Sequence, residues 1–271
     1  MIELEGGIIV GVLGQWASGK STAARTLIRY LGGEGEVVFI NDRVLLASQA
    51  VNHILELEDS KVTSSIEDDG RQRLEGEQAT VYLGPGEDLK TVDLSTLLFD
   101  LHDDVHDNAV PAWCNWFNRA RVELGHQIRE RSADGKPIVI EAGFGTNMEP
   151  RGENPFCHTV SDLFMRLQEA GVEPKQVKWI IVEAGYDKRS ERNQKRRDSV
   201  RVVEFDRYAA DGGDLDPDHQ KRLEEQGTII KRVPNDHDDI ERFRADIIAA
   251  FEEMFRGVLP ARTVDGKREQ R

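Results

Sequence analysis

The 271-residue sequence predicts an α/β fold in which helices cover both faces of a five-stranded parallel sheet. Two observations carry this prediction. Five short apolar runs alternate with segments whose apolar residues recur at helical spacing. The first apolar run also leads directly into a glycine-rich turn and a helix start, which is the order of a βα unit in such sheets.

The predicted elements have recognisable starts and stops. Gly32 and Gly33 close the first helix, and Asn41-Asp42 follow the second strand. The polar residues 58–77 predict a mobile loop, and residues 79–94 a small hairpin. The predicted strands are 8–13, 37–40, 137–141, 177–182 and 228–233. The predicted helices include 45–57, 112–131, 161–170 and 238–255.

Composition narrows the class of protein. The formal net charge of −14 argues against extended duplex nucleic acid as a partner, because neutralising phosphates needs basic surface. No apolar run reaches the roughly 18 residues of a membrane span, and the N-terminus lacks the pattern of a signal peptide. Cys114 and Cys157 are too few for a disulfide scaffold. We therefore expect a cytoplasmic protein with small-molecule ligands, for which a homo-oligomer is compatible with the sequence.

Residues 14–21 read GQWASGKS, a complete G-x-x-x-x-G-K-S/T element between a strand and a helix. In such a loop, backbone N–H groups converge on phosphate oxygens and the helix N-terminus adds partial positive charge. Lys20 is expected to reach the β- and γ-phosphates, and the Ser21 hydroxyl to ligate Mg²⁺. The alternative is a chance glycine loop. The residues expected to bind ATP are Gly14, Gln15, Trp16, Ala17, Ser18, Gly19, Lys20, Ser21 and Thr22.

Two acidic residues stand at the ends of predicted strands, where ligands gather in parallel sheets. Asp42 is placed to accept a proton from a substrate hydroxyl or to orient it, although an Asp here also caps helices well. Glu141 ends the strand expected to lie beside the first, at the position that holds Mg²⁺ directly or through water. The alternative for Glu141 is a carboxylate bonded to backbone N–H groups.

The most basic segment is residues 188–197, just after the fourth predicted strand. Arg189, Arg192 and Arg196 are spaced to share one face of a helix. Their guanidinium groups suit a triphosphate or an acceptor phosphate, where they would stabilise charge during transfer. A solvated helix, paired with its own acidic residues, is the alternative.

Taken together, these residues resemble the P-loop nucleotide and small-molecule kinases, including nucleoside monophosphate, cytidylate and dephospho-coenzyme A kinases. The likeness rests on residues 14–22, Asn41-Asp42, Glu141, the arginine segment and the closing strand–helix unit 229–255. Residues 81–88 and 141–146 are similar to a hairpin and a strand end of cytidylate kinases. The resemblance implies a P-loop NTPase-type three-layer sandwich with an inserted acceptor-side region.

The resemblance also implies roles for individual residues. Asp42 would face the acceptor, and the helix carrying Arg189, Arg192 and Arg196 would be a lid. Asn235 would lie in the turn that contacts the nucleotide base, and Arg119 and Arg121 would bind an acceptor phosphate. The implied division is a kinase-like core at 1–57 and 135–257, an inserted acceptor-side or lid region at 58–134, and a flexible tail at 258–271.

The sequence therefore predicts an ATP-dependent kinase that transfers a phosphoryl group to a small metabolite or nucleotide. The alternative is a P-loop hydrolase or nucleotide-dependent switch acting on a protein partner. The sequence lacks the N/T-K-x-D guanine motif that GTPases of that kind usually carry. A non-catalytic binding protein is a third reading, against which the intact Lys20 and Ser21 argue.

Overall fold

The computed structural model of the chain describes residues 7–46, 48–49, 63–66, 72–75, 80–83, 109–145, 159–195 and 214–256. The strands are β1 (Ile9–Gly14), β2 (Val38–Asn41), β3 (Thr63–Ile66), β4 (Gln72–Glu75), β5 (Thr80–Leu83), β6 (Ile138–Gly143), β7 (Lys178–Glu183) and β8 (Ile230–Pro234). The helices are α1 (Lys20–Tyr30), α2 (Ala109–Ser132), α3 (Val160–Glu169), α4 (Tyr186–Gln194), α5 (Pro217–Glu225) and α6 (Ile240–Met254). Residues 42–46 and 48–49 are also helical.

Five strands form one parallel sheet in the spatial order β2-β6-β1-β7-β8. The predicted α/β fold with a five-stranded parallel sheet is confirmed. The strand carrying Glu141 lies beside β1, as expected from the sequence. The chain leaves β1 towards β2 on one side of the sheet and leaves β6 towards β7 on the other side. In sheets of this kind, ligands bind outside the carboxyl ends of the strands at the point where the direction changes.

Two apolar cores, one on each face of the sheet, make the molecule three-layered. Strand side chains alternate between faces, so Val10 and Val12 of β1 enter one core while Ile9 and Leu13 enter the other. Helices α1 and α6 cover the Val10 face, and α2, α3 and α5 contribute to the opposite core. The sequence-predicted helices owe their apolar spacing to this burial.

Two glycines allow close packing in these layers. A Cβ on Gly11 of β1 would lie 2.1 Å from the Trp179 ring, which therefore needs a glycine beneath it. A Cβ on Gly125 of α2 would lie 2.4 Å from the Cβ of Ala170, the residue that caps the end of α3. The contact between α2 and α3 thus depends on a residue without a side chain.

The expected loop at residues 58–77 is wrong, because this segment contains β3 and β4. With β5 they form an antiparallel three-stranded sheet. The prediction relied on apolar content, whereas short antiparallel strands need only backbone pairing and tolerate polar residues. The second strand of the predicted hairpin, residues 91–94, lies outside the described residues. None of the described helices is long and apolar enough to span a membrane.

Candidate functional site

Residues 14–21, the phosphate loop, wrap from the end of β1 into the start of α1. The Ser18 N–H donates to the Gln15 carbonyl at 3.2 Å and closes a tight turn. Ala17 at this turn has a φ of 59°, a left-handed conformation that costs a non-glycine residue about 1 kcal/mol. Ala17 is buried against Trp16 and Tyr186. Strain of this kind persists where packing fixes a backbone path, and it is common at ligand-binding loops.

Glycines at both ends of the phosphate loop are required by close contacts. A Cβ on Gly14 would lie 2.3 Å from the Ser18 Oγ, which is buried and has no hydrogen-bond partner among the described residues. Gly19 has a φ of 106° and caps α1 without a side-chain hydrogen bond. The N-cap residue therefore supplies no side chain to the first N–H groups of α1, which suits anion binding at a helix N-terminus.

Lys20 is the first residue of α1, and its side chain reaches Gly143 at the end of β6. Gly14 and Gly143 are paired in the sheet, so β1 and β6 end side by side. A Cβ on Gly143 would lie 3.9 Å from both the Lys20 Nζ and the Asp42 Oδ2. The lysine ammonium and the Asp42 carboxylate therefore flank the same point at the strand ends.

Ser21, Glu141 and Asn41 form a cluster of oxygen-bearing side chains beside Lys20. The Ser21 Oγ donates to the Glu141 Oε1 at 2.5 Å, and the Asn41 Nδ2 donates to the Glu141 Oε2 at 3.3 Å. Glu141 is only 6% exposed. Hard oxygen donors of this kind match the ligand preference of Mg²⁺. The oxygen atoms of Ser21 and Glu141 therefore fit the predicted metal site in their chemistry, and their roles as ligands stay predictions.

Asp42 directly follows β2, and its carboxylate is held by a backbone N–H of β6. The Gly143 N–H donates to its Oδ2 at 2.7 Å, and its Oδ1 has no hydrogen bond among the described residues. Desolvation, partly offset by the Gly143 bond and by the charges of Lys20 and Arg121, raises the pKa of Asp42 to about 6. A carboxylate with such a pKa is a stronger base than an ordinary Asp, near the value that suits proton transfer at neutral pH.

The two arginines predicted to bind an acceptor phosphate differ in environment. Arg119 is exposed on α2. Arg121 is 1% exposed, and its Nη1 donates to Asp162 at 2.6 Å and to the Thr159 carbonyl at 3.1 Å. Its Nη2 donates to the Gly143 carbonyl at 3.4 Å. The Arg121 guanidinium thus lies behind the strand ends, and the acceptor role of both arginines stays a prediction.

The predicted lid arginines lie on α4 or just beyond it. Arg189 is fully buried, and its Nε donates to the Ala184 carbonyl at 2.9 Å. Arg192 reaches the phosphate loop and the turn after β8, where the structure also places Asn235. Helix α4 ends at Gln194, and Arg196 lies outside the described residues. The lid role of these arginines stays a prediction.

The remaining predicted nucleotide ligands lie in the phosphate loop or in the first turn of α1. The Trp16 ring is half-buried and carries the Arg43 guanidinium 5.9 Å from its centre. Thr22 lies in the first turn of α1, and its carbonyl accepts from the Thr26 hydroxyl at 2.8 Å. Gln15 supplies the carbonyl that closes the loop turn.

The sequence analysis missed two contributors to the site. Asn41 holds Glu141, and its Oδ1 accepts the Arg43 N–H at 2.9 Å, which fixes the start of the helical residues at 42–46. Its position directly after a predicted strand, beside Asp42, was a usable signal. Gly143 links Asp42 to Arg121 through its backbone, and nothing in the sequence marks it apart from its place two residues after Glu141.

No protein-family model matches the sequence, and no curated protein matches it significantly. Among solved structures, the chain is similar to an unliganded sugar kinase from Janibacter sp. HTCC2649, with 12% identity, a TM-score of 0.41 and 92% of each chain covered. It is also similar to dephospho-CoA kinase from Campylobacter jejuni, with 13% identity and a TM-score of 0.39, covering 93% of this chain and 98% of that one. Both TM-scores are below 0.5, so neither likeness bears on substrate or mechanism, which must follow from the chain's own residues.

Proposed function

We propose that this protein is a Mg-ATP-dependent phosphotransferase whose acceptor is a small metabolite or nucleotide. The observation that carries the proposal is the meeting of three groups where β1, β2 and β6 end: Lys20 of the phosphate loop, the Ser21–Glu141 pair and Asp42. A phosphate-binding loop alone would support nucleotide binding. A carboxylate of raised pKa beside it adds a group that can activate an acceptor.

The phosphate loop would bind the triphosphate through its backbone N–H groups and the N-terminus of α1. Lys20 would place its positive charge against the β- and γ-phosphates. Gly19 at the N-terminus of α1 supports this role, because a glycine N-cap has no side chain that competes with a bound anion. Trp16 would contact the nucleotide at one side of the loop.

Ser21 and Glu141 would hold Mg²⁺ between the phosphates and the end of β6. The metal would supply positive charge to the phosphoryl oxygens and fix their geometry. Among the described residues, Glu141 is held by Ser21 and Asn41, so its carboxylate is oriented before any ligand arrives. Preorganisation of this kind lowers the entropic cost of assembling the site.

In the transfer step, an acceptor oxygen forms a bond to the γ-phosphorus while the bond from that phosphorus to the bridging oxygen breaks and ADP leaves. For a hydroxyl acceptor, Asp42 takes the proton of the attacking oxygen. The Gly143 N–H bond to Oδ2 would keep the carboxylate aimed, leaving Oδ1 for the acceptor. Arg189, Arg196, Arg119 and Arg121 are candidates for further phosphate contacts.

The test uses purified protein, labelled ATP, Mg²⁺ and a panel of nucleosides, nucleoside monophosphates, sugars and other small alcohols. Wild type should phosphorylate at least one acceptor, Lys20→Ala should lose ATP binding, and Asp42→Asn should lose about 100-fold or more in rate. Asp134→Asn is the matched control and should be unchanged, because this exposed carboxylate precedes the amino end of β6, at the opposite edge of the sheet from Asp42. Failure of folded wild type to transfer to any acceptor, with steady hydrolysis instead, would replace this proposal with a hydrolase.

A further inference from the structure

The Ser18 carbonyl, at the outer bend of the phosphate loop, accepts two side-chain hydrogen bonds from distant parts of the chain. The Asn235 Nδ2 donates to it at 2.7 Å, and the Arg192 Nη1 donates at 3.3 Å. Asn235 follows β8 and Arg192 lies on α4, so two separate elements meet at this single backbone oxygen.

The two donors are themselves fixed. The Arg192 Nη2 donates to the Asn235 Oδ1 at 3.2 Å and to the His237 carbonyl at 2.9 Å. Asn235 is 5% exposed, and its backbone N–H donates to the Glu183 carbonyl at 2.6 Å. The Asn235 carboxamide therefore has one orientation only, with its NH₂ toward the phosphate loop.

Gly19 is what allows this approach. A Cβ at position 19 would lie 2.3 Å from the Asn235 Nδ2, so any side chain there would displace the amide. The Ser18–Gly19 peptide is planar and trans, which makes the Gly19 N–H point opposite to the Ser18 carbonyl. Holding the carbonyl outward against Asn235 and Arg192 therefore turns the Gly19 N–H toward the inside of the loop.

We infer that Asn235 and Arg192 are positioning residues for the phosphate loop: by binding the Ser18 carbonyl they preset the Gly19 N–H for a phosphate oxygen. This inference rests on the proposed nucleotide-binding function and gives these two residues a different task from base contact or direct phosphate contact. A free peptide at this bend can rotate between orientations, and each orientation that turns the N–H away lowers phosphate affinity. The pair removes that freedom in advance.

The test separates the phosphate part of the nucleotide from the base. Binding of Mg-ATP, Mg-tripolyphosphate and adenosine is measured by calorimetry for wild type, Asn235→Ala and Arg192→Lys. Lys188→Met is the matched control, because Lys188 also ties α4 to the turn after β8, through Asp238 at 2.6 Å, but makes no bond to Ser18. Thermal unfolding of each variant confirms that it folds, and Arg192→Lys keeps the charge if Asn235→Ala proves too unstable.

The inference predicts that tripolyphosphate and ATP lose affinity by the same factor, about 10-fold or more, in both variants. Adenosine affinity and the Lys188→Met variant should be unchanged. Loss of ATP and adenosine affinity with tripolyphosphate binding intact would overturn the inference and make Asn235 a base ligand. Unchanged tripolyphosphate affinity in both variants would also overturn it. Wild type that binds neither ATP nor tripolyphosphate would refute the proposed function itself, and the inference with it.

Discussion

Burial of Asp42 raises its pKa, which suits the proposed role as a base but makes its ionised form costly for the fold. Its pKa is about 6 in the folded chain and 3.8 ordinarily, so the folded state holds the proton more tightly than the unfolded state. The stability contributed by the protonated group is complete below about pH 4 and is lost as the pH rises through 6. At neutral pH the ionised carboxylate therefore destabilises the fold.

We expect Asp42→Asn to be more stable than wild type at pH 7, by about 1 kcal/mol after allowing for the water that reaches this half-buried side chain. The gain should shrink towards zero as the pH falls below 4. Urea unfolding at several pH values measures it, and Asp134→Asn serves as the exposed control. A variant that is less stable than wild type at pH 7 would show that the ionised group is stabilising.

The same pKa predicts how the reaction rate falls at acidic pH. If Asp42 acts as the base, kcat/KM should rise tenfold per pH unit below about 6 and level off above it. The loss at low pH follows because protonated Asp42 cannot accept the acceptor's proton. A limb centred near pH 4 would assign the base role to another group.

Ser21 gives a prediction about the metal. Ser21→Ala removes a predicted Mg²⁺ ligand, so the Mg²⁺ concentration for half-maximal rate should rise about 10-fold or more, while Ser21→Thr keeps the hydroxyl and should stay close to wild type. Rates measured across a Mg²⁺ series at saturating ATP distinguish the two. Equal Mg²⁺ dependence in Ser21→Ala and wild type would exclude Ser21 as a ligand.

Among the elements, α2 contacts the end of α3 so closely that replacing Gly125 by alanine should destabilise the protein, although alanine is the better helix former. Gly125→Ala should favour an isolated helix by up to about 1 kcal/mol. In this chain the new Cβ would lie 2.4 Å from the Ala170 Cβ, so we expect a net loss of about 1–3 kcal/mol instead. Urea unfolding of Gly125→Ala measures this loss.

Ala170→Gly provides the control for that experiment. It removes the opposing Cβ, so the double variant should recover part of what Gly125→Ala loses, giving a positive coupling between the two sites. Additive losses would mean that α2 shifts to accommodate the new methyl group without strain. Ala170 is buried at the cap of α3, where glycine is tolerated at a small entropic cost.

The sequence predicts features that depend on neighbouring residues better than contacts between distant parts of the chain. The phosphate loop and the strand ends at Asp42 and Glu141 were accessible because local spacing and strand patterns set them. The helix α5 was missed, although Asp216 followed by Pro217 is a helix-start signal and Asp216 caps α5 in the structure. The bond from Asn235 to Ser18 joins residues 217 positions apart, and no local pattern encodes such a contact.

The whole molecule carries a formal net charge of −14, which predicts a response to salt. Self-repulsion destabilises the compact state, and raising chloride from about 10 to about 300 mM shortens the screening length several-fold. Exposed pairs such as Lys195–Glu191 weaken at the same time, but each contributes little to stability. The urea midpoint should therefore rise with salt.

Sodium chloride and choline chloride should raise the midpoint equally, because screening does not depend on the cation. Sulfate and phosphate are avoided, since either anion could occupy the phosphate loop. A midpoint that stays flat or falls would show that local ion pairs outweigh the overall repulsion. The described part of the chain contains several such pairs on its surface, so the measurement decides between two opposed effects.

Gly143 connects Asp42 to a buried ion pair behind the strand ends. The Gly143 N–H donates to Asp42, and the Gly143 carbonyl accepts from Arg121. Glycine is the residue with the greatest backbone freedom, yet here both of its backbone polar groups are held by side chains. Arg121 is in turn held by Asp162, which is buried on α3. Substitutions at positions 121 and 162 should therefore shift the pKa of Asp42, which the Arg121 charge lowers, without any change to Lys20, Asp42 or Glu141.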